Sequence, residues 1–279
     1  MTDRRHVMAQ TASSPNGQYV KVNGLNMYYA EYGSGEPLLL LHGGMEIGNN
    51  FEHLIPALSK QFRVITPDSR GHGQTDNPSG EFSYQLMADD VASFVKALNL
   101  NQPSICGWSD GGQIALELGM HYPDLMKCMV VGAAWYQFSQ TYQGLLKAIG
   151  FESPGVVNIE RIKQSLPQLA EMWRSWHAPV HGPDHWETLV TQISTMWWTP
   201  LGYTAEDFQQ IKAPTLILVG DRDPMVPVEE AVEMYQFIEG AELAIVPNSE
   251  HSLPKMRAEM FANIVLDFLI RHRAQTERQ

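Results

Sequence analysis

The chain has 279 residues, 44% of them hydrophobic and 18% charged, and carries a net charge of −12. That length holds one α/β domain with an insertion and buries a large core. The acidity, with no basic cluster beyond a pair before the tail, argues against nucleic acid or an anionic membrane surface as partner. No apolar run reaches the roughly 20 residues of a membrane helix.

Arg4 and Arg5 are not followed by an apolar core, so residues 1–17 read as a loose polar tail rather than a secretory signal. Gln18 to Val22 and Leu25 to Tyr32 form an expected hairpin around Asn23-Gly24. An apolar strand at Pro37 to Leu41 ends in His42-Gly43-Gly44-Met45. Strand and helix then alternate: a helix near Asn50 to Lys60, a strand at Phe62 to Thr66, a helix near Tyr84 to Leu98. The strand Pro103 to Cys106 runs into Gly107-Trp108-Ser109-Asp110-Gly111-Gly112, and a helix follows. A sixth strand spans Cys128 to Ala133. Between Trp135 and Gln210 the alternation breaks. This interval holds six of the seven tryptophans, and Gly and Pro residues that would punctuate short helices. Pro214 to Val219 and Leu243 to Val246 are the last two strands, with a helix near Val228 to Ile238 between them and another from about Pro254 to Arg271. Short apolar strands alternating with amphipathic helices indicate a mostly parallel sheet covered on both faces.

Three segments carry chemistry. Ser109 reads as a nucleophile on a sharp strand-to-helix turn, with Gly107 and Gly111 supplying the missing bulk two residues to either side. Asp221 and Asp223 follow one strand, and His251 follows the next. A serine hydroxyl is a poor nucleophile until a base takes its proton, and the base needs a carboxylate to fix its tautomer. Ser109 on its turn, the acids after the next-to-last strand and His251 after the last could therefore meet at one edge of the sheet, each at the carboxyl end of an expected strand. The plainer reading of Ser109 is a helix N-cap.

These motifs resemble the α/β-hydrolase fold family, from about Tyr19 to Leu269. Gly-Trp-Ser-Asp-Gly-Gly and the run Asp223-Pro224-Met225-Val226-Pro227 are similar to the valacyclovirase (biphenyl-hydrolase-like) group, and Pro67-Asp68-Ser69-Arg70-Gly71-His72-Gly73 matches a loop of many members. The resemblance implies an eight-stranded, mostly parallel sheet, a core of residues 18–134 and 211–279, and a helical cap at 135–210 inserted after strand 6. It implies a catalytic Ser109, Asp223 and His251, with Asp221 bracing its loop. Backbone amides of Asp110 and of Gly44 would form the oxyanion hole, with Met45 as competitor for the second place. Met45, Trp108 and Trp135 are the candidates for touching substrate.

The expected reaction is ester hydrolysis on a small apolar or aromatic substrate through an acyl-serine. Amide, lactone and carbon–carbon cleavage share the same residues. A slow-turnover small-molecule receptor is the non-enzymatic alternative. The Asp110 side chain either receives a substrate ammonium, as the valacyclovirase resemblance implies for amino-acid esters, or caps its helix and meets solvent.

His177, His181 and His185 recur every four residues, but Pro179 and Gly182-Pro183 would interrupt a helix aligning them, so no metal site is expected. With no phosphate loop, no cofactor is expected either. Arg70 and His72 read as architectural. Cys106 and Cys128 read as buried thiols of a reducing, cytoplasmic setting.

Overall fold

Asn23 and Gly24 carry φ of 46° and 76°, the left-handed pair of a tight hairpin turn. They fold β1 (Gln18–Val22) onto β2 (Leu25–Tyr32) with Val22 opposite Leu25. The computed structural model describes residues 17–273, so all but the last residue of the expected tail lies outside the described residues.

Six further strands complete one sheet with β1 and β2: β3 (Pro37–Leu41), β4 (Arg63–Pro67), β5 (Ser104–Trp108), β6 (Met129–Gly132), and, after the insertion, β9 (Thr215–Gly220) and β10 (Glu242–Val246). The order is β1-β2-β4-β3-β5-β6-β9-β10, antiparallel at β1/β2 and β2/β4 and parallel elsewhere. Leu38, Leu39, Leu40 and Leu41 are all at most 1% exposed. Successive strand residues point to opposite faces, so both faces are covered, as in an α/β-hydrolase fold. The chain runs from β3 outward to β4, then crosses back to β5 on the other side of β3. The reversal opens a crevice between the carboxyl ends of β3 and β5, where open α/β sheets bind ligands.

The helices are α1 (Ile55–Leu58), α2 (Tyr84–Ala97), α3 (Asp110–His121), α4 (Gln140–Ile149), α5 (Ile159–Ser165), α6 (Pro167–His181), α7 (His185–Trp197), α8 (Ala205–Phe208), α9 (Val228–Phe237), α10 (Leu253–Met256) and α11 (Ala258–Arg273). α3 packs on β3, β5 and β6, and α9 on β9 and β10. The helix expected near residues 50–60 is instead a 3-10 turn (Gly48–Phe51) followed by α1. Pro56 has no N–H to continue an earlier helix and starts a new one. The expected final helix is split by Arg257 (φ −130°, ψ 41°) into α10 and α11.

Between β6 and β9 the insertion holds α4 to α8 and an unanticipated hairpin, β7 (Phe151–Ser153) and β8 (Val156–Val157), turned by Pro154 and a left-handed Gly155. α6 also runs through Pro179, contrary to expectation, and stops at Gly182 (φ 93°). Pro179 stands in the last turn, where its missing N–H forfeits a single bond. Among the described residues no helix is long and apolar enough to cross a membrane.

Candidate active site

Ser109 stands between β5 and α3 with φ 58° and ψ −121°, a conformation that costs energy for any residue with a Cβ. The tight turn explains its glycines. A Cβ on Gly107 would lie 2.0 Å from the Gly111 carbonyl oxygen, and one on Gly111 would lie 1.9 Å from the Leu41 carbonyl oxygen. Only bare backbone lets the elbow close against β3.

The loops after β9 and β10 bring the other two side chains to Ser109. His251 Nε2 is 3.0 Å from Ser109 Oγ, and His251 Nδ1 is 2.8 Å from Asp223 Oδ2. The carboxylate can only accept, so Nδ1 carries the proton and Nε2 accepts from the serine hydroxyl. Asp223 Oδ1 accepts the N–H groups of Met225 (2.9 Å) and Val226 (3.1 Å), and its side chain has no solvent exposure. Asp221 instead accepts the Ser249 N–H at 3.1 Å, tying the two loops together. Trp108 donates its indole N–H to the His251 carbonyl at 3.0 Å. Thus the residue before the serine also holds the histidine's backbone.

The loop after β3 meets the elbow from the other side. Gly43 donates to Glu46 Oε2 at 3.1 Å and Met45 donates to His72 Nε2 at 3.1 Å. Of these amides, Gly44's is the one without a protein partner among the described residues. The Asp110 N–H is at the first position of α3, where helices leave amides unpaired. Met45 has a left-handed backbone (φ 62°), is fully buried, and is not among the residues that line the cavity. Trp108 and Trp135 do line the cavity. The Trp135 carbonyl is held by the Gln113 side chain, and its ring lies 4.9 Å from Tyr142.

Asp110 does neither of the plain things expected of it. Its carboxylate is 2% exposed, accepting from the Tyr84 hydroxyl at 2.8 Å and the Trp197 indole at 2.9 Å. Burial pushes its pKa up to about 6, against the pull of those two hydrogen bonds. Glu46, half-buried and with its pKa likewise raised by desolvation, is a second carboxyl on the cavity wall. Glu46, Tyr84 and Trp197 were not singled out from sequence. Tyr84 and Trp197 reach the site through tertiary contact, and Glu46 through the close turn of its own loop, so no spacing marks them.

The cavity measures about 960 Å³. Ser109, His251 and Gly44 line it, together with Trp135, Tyr142, Phe151, Trp173, Trp176 and Trp197, an aromatic set drawn from the end of β6 and from the insertion. Asn49, Asn50, His53 and Lys255 add polar lining. The three histidines of the insertion hold no metal geometry. His181 stacks on His185 at 4.2 Å, while His177 and His185 each face a backbone carbonyl. Among the described residues no group of three or more His, Cys, Asp or Glu is placed to bind an ion. Arg70 forms a buried ion pair with Asp90 at 2.7 Å. Both cysteines are free and buried.

A family model described as alpha/beta hydrolase fold matches residues 36–197. The chain belongs to the α/β-hydrolase fold family, and it is a hydrolase of that family. It is 31% identical over 261 residues to the serine hydrolase BPHL of Mus musculus, covering 90% of this chain and 85% of that protein. It is 28% identical to the 2-hydroxy-6-oxo-6-(2'-aminophenyl)hexa-2,4-dienoic acid hydrolase of Metapseudomonas resinovorans, covering 91% of each. A solved meta-cleavage product hydrolase from Pseudomonas fluorescens IP01 superposes with a TM-score of 0.76 at 25% identity, covering 92% of this chain and 98% of that one.

Proposed function

We propose that the protein is a serine hydrolase that cleaves a carboxylic ester of a small apolar or aromatic acid through an acyl-Ser109 intermediate. The carrying observation is the Asp223–His251–Ser109 chain of 2.8 and 3.0 Å contacts on the floor of an aromatic-walled cavity. His251 takes the Ser109 proton as Oγ attacks the carbonyl carbon, then returns it to the leaving alcohol. Asp223 stabilises the imidazolium. The amides of Gly44 and Asp110 receive the developing oxyanion, each donor contributing about 3–4 kcal/mol. Water activated by His251 then frees Ser109. Residues 135–210 serve as the cap whose aromatic side chains hold the acyl group. The two unpaired thiols fit a reducing, cytoplasmic setting.

A panel of 4-nitrophenyl acetate, butyrate and benzoate tests this reading. Steady turnover that Ser109→Ala abolishes is the expected result. One stoichiometric release without turnover would point to a receptor and overturn it.

A second reading rests on the two carboxyl groups beside the serine. Asp110 and Glu46 give the cavity floor a negative character that favours an ammonium-bearing acyl group, hence amino-acid esters. The relatives named for a dienoic acid and for a meta-cleavage product add a carbon–carbon substrate to the panel, since the same three side chains support that cleavage.

A further inference from the structure

The Met45 peptide is gripped by two histidines from different parts of the chain. Its N–H donates to His72 Nε2 at 3.1 Å, and its carbonyl accepts from His177 Nε2 at 3.1 Å. His72 belongs to the loop after β4, whereas His177 stands on α6 of the insertion. Both rings are fully buried and meet edge to face at 5.8 Å. Their tautomers follow from their partners. His72 Nδ1 lies 2.8 Å from the Arg70 carbonyl, so the proton is there and Nε2 accepts. His177 Nδ1 accepts the Gly73 N–H at 2.9 Å, so its proton is on Nε2, facing Met45.

We infer that His177 is a positioning residue for the oxyanion loop, holding Met45 jointly with His72 so that the preceding Gly44 amide stays against the elbow. Left-handed backbone at a residue with a side chain persists only where surroundings enforce it, and Met45 has φ 62°. A buried carbonyl and a buried amide also each need a partner; His72 and His177 supply both. The loop has no slack toward Ser109. A Cβ on Gly43 would lie 3.2 Å from Ser109 Cβ, and one on Gly44 would lie 2.4 Å from Asp110 Oδ2. Without His177, the Met45 carbonyl and the Gly73 N–H lose their partners together, and Met45 loses its hydrogen bond to the insertion. The insertion therefore acts on catalysis even for substrates too small to touch it.

This inference rests on the hydrolase reading for its kinetic consequence but not for its structural one. His177→Asn places an amide near the Nδ1 position, keeping the partner for Gly73 while falling short of Met45. His177→Gln reaches the Nε2 position and restores the donor. With phenyl acetate, His177→Asn is expected to lose about tenfold to a hundredfold in kcat with KM within about twofold, the signature of a misplaced transition-state donor. His177→Gln is expected to recover most of it. In parallel, amide hydrogen exchange at residues 43–47 should accelerate in His177→Asn and not in His177→Gln, with α3 unchanged. Equal exchange in the wild type and His177→Asn, or a loss confined to KM, overturns the inference. A wild type that hydrolyses no ester overturns the ester-hydrolase reading instead, and the exchange comparison still decides the clamp.

Discussion

Trp197 donates its indole N–H to Asp110 Oδ2 at 2.9 Å, joining the last residue of α7 to the residue that follows Ser109. With Tyr84 on the other oxygen, the carboxylate ties the insertion and α2 to the elbow. A buried carboxylate with two neutral donors keeps part of its charge unanswered, and its raised pKa reports that deficit. A substrate cation would answer it.

Asp110→Asn tests that demand without removing the anchor. The amide oxygen accepts from Trp197, and its NH₂ group donates to the Tyr84 oxygen. Selectivity, the ratio of kcat/KM for a glycyl ester over the matched acetyl ester, is expected to fall about tenfold to a hundredfold, the range of a charge-assisted hydrogen bond. Equal losses on both esters would remove any ammonium role for Asp110.

The same carboxyl sets a pH dependence. Its pKa is raised to about 6, so it is neutral below that value and ionised above it. Attraction for a cation is therefore present at pH 7 and fades as the pH falls through 6. A betaine ester, whose charge is permanent, compared with its uncharged isostere at pH 5 to 8, should give a selectivity ratio rising with a midpoint near 6. A ratio that stays flat would assign the cavity's preference to other groups.

The strands around the site are legible because burial on both faces writes itself as unbroken apolar runs, Leu38 to Leu41 above all. The elbow is legible because its glycines are required within four residues of one another. What joins distant segments is not. Trp197 lies 87 positions from Asp110, and His177 lies 132 positions from Met45, so neither partnership leaves a local pattern. The burial of Met45 is equally illegible, because its backbone amide and carbonyl bond to two such remote residues, His72 and His177. The β7–β8 hairpin is too short for period-two alternation to show.

Strain at the elbow separates stability from turnover. Ser109 holds φ 58° and ψ −121°, which alanine shares at the same cost and glycine adopts freely. Both Ser109→Ala and Ser109→Gly should abolish turnover. Ser109→Gly should be the more stable of the two by about 1 kcal/mol, net of the entropy glycine adds to the unfolded chain. Urea unfolding measures the difference, and equal midpoints would mean that the elbow stores no strain.

Trp108→Phe keeps an aromatic ring against Phe261 (5.4 Å between centroids) but loses the 3.0 Å hydrogen bond to the His251 carbonyl. The histidine backbone is then held less firmly. kcat should fall about tenfold with KM nearly constant, because the base is needed in the transition state rather than for binding. A rise in KM alone would assign Trp108 to substrate contact.

Neutral histidines make the loop after β3 acid-sensitive. Desolvation lowers the pKa of His42 to about 4 and of His177 to about 3, and holds His72 well below 6.5. A depressed folded-state pKa means that the unfolded chain binds a proton the folded chain refuses. The stability is fully present above 6.5, and for His177 it is lost as the pH falls from there toward 3. Asp68 and Asp110, both raised to about 6, oppose this loss below that pH, because the folded state takes up their protons first. A difference between two proteins isolates the histidine. His177→Gln removes one such group and leaves the rest, so the wild type should lose stability relative to it by about 1.4 kcal/mol per pH unit below 6.5. Urea unfolding at pH 6.5, 5.5 and 4.5 follows the difference. Parallel curves for the two proteins would show that His177 protonates as readily in the folded chain as in the unfolded one.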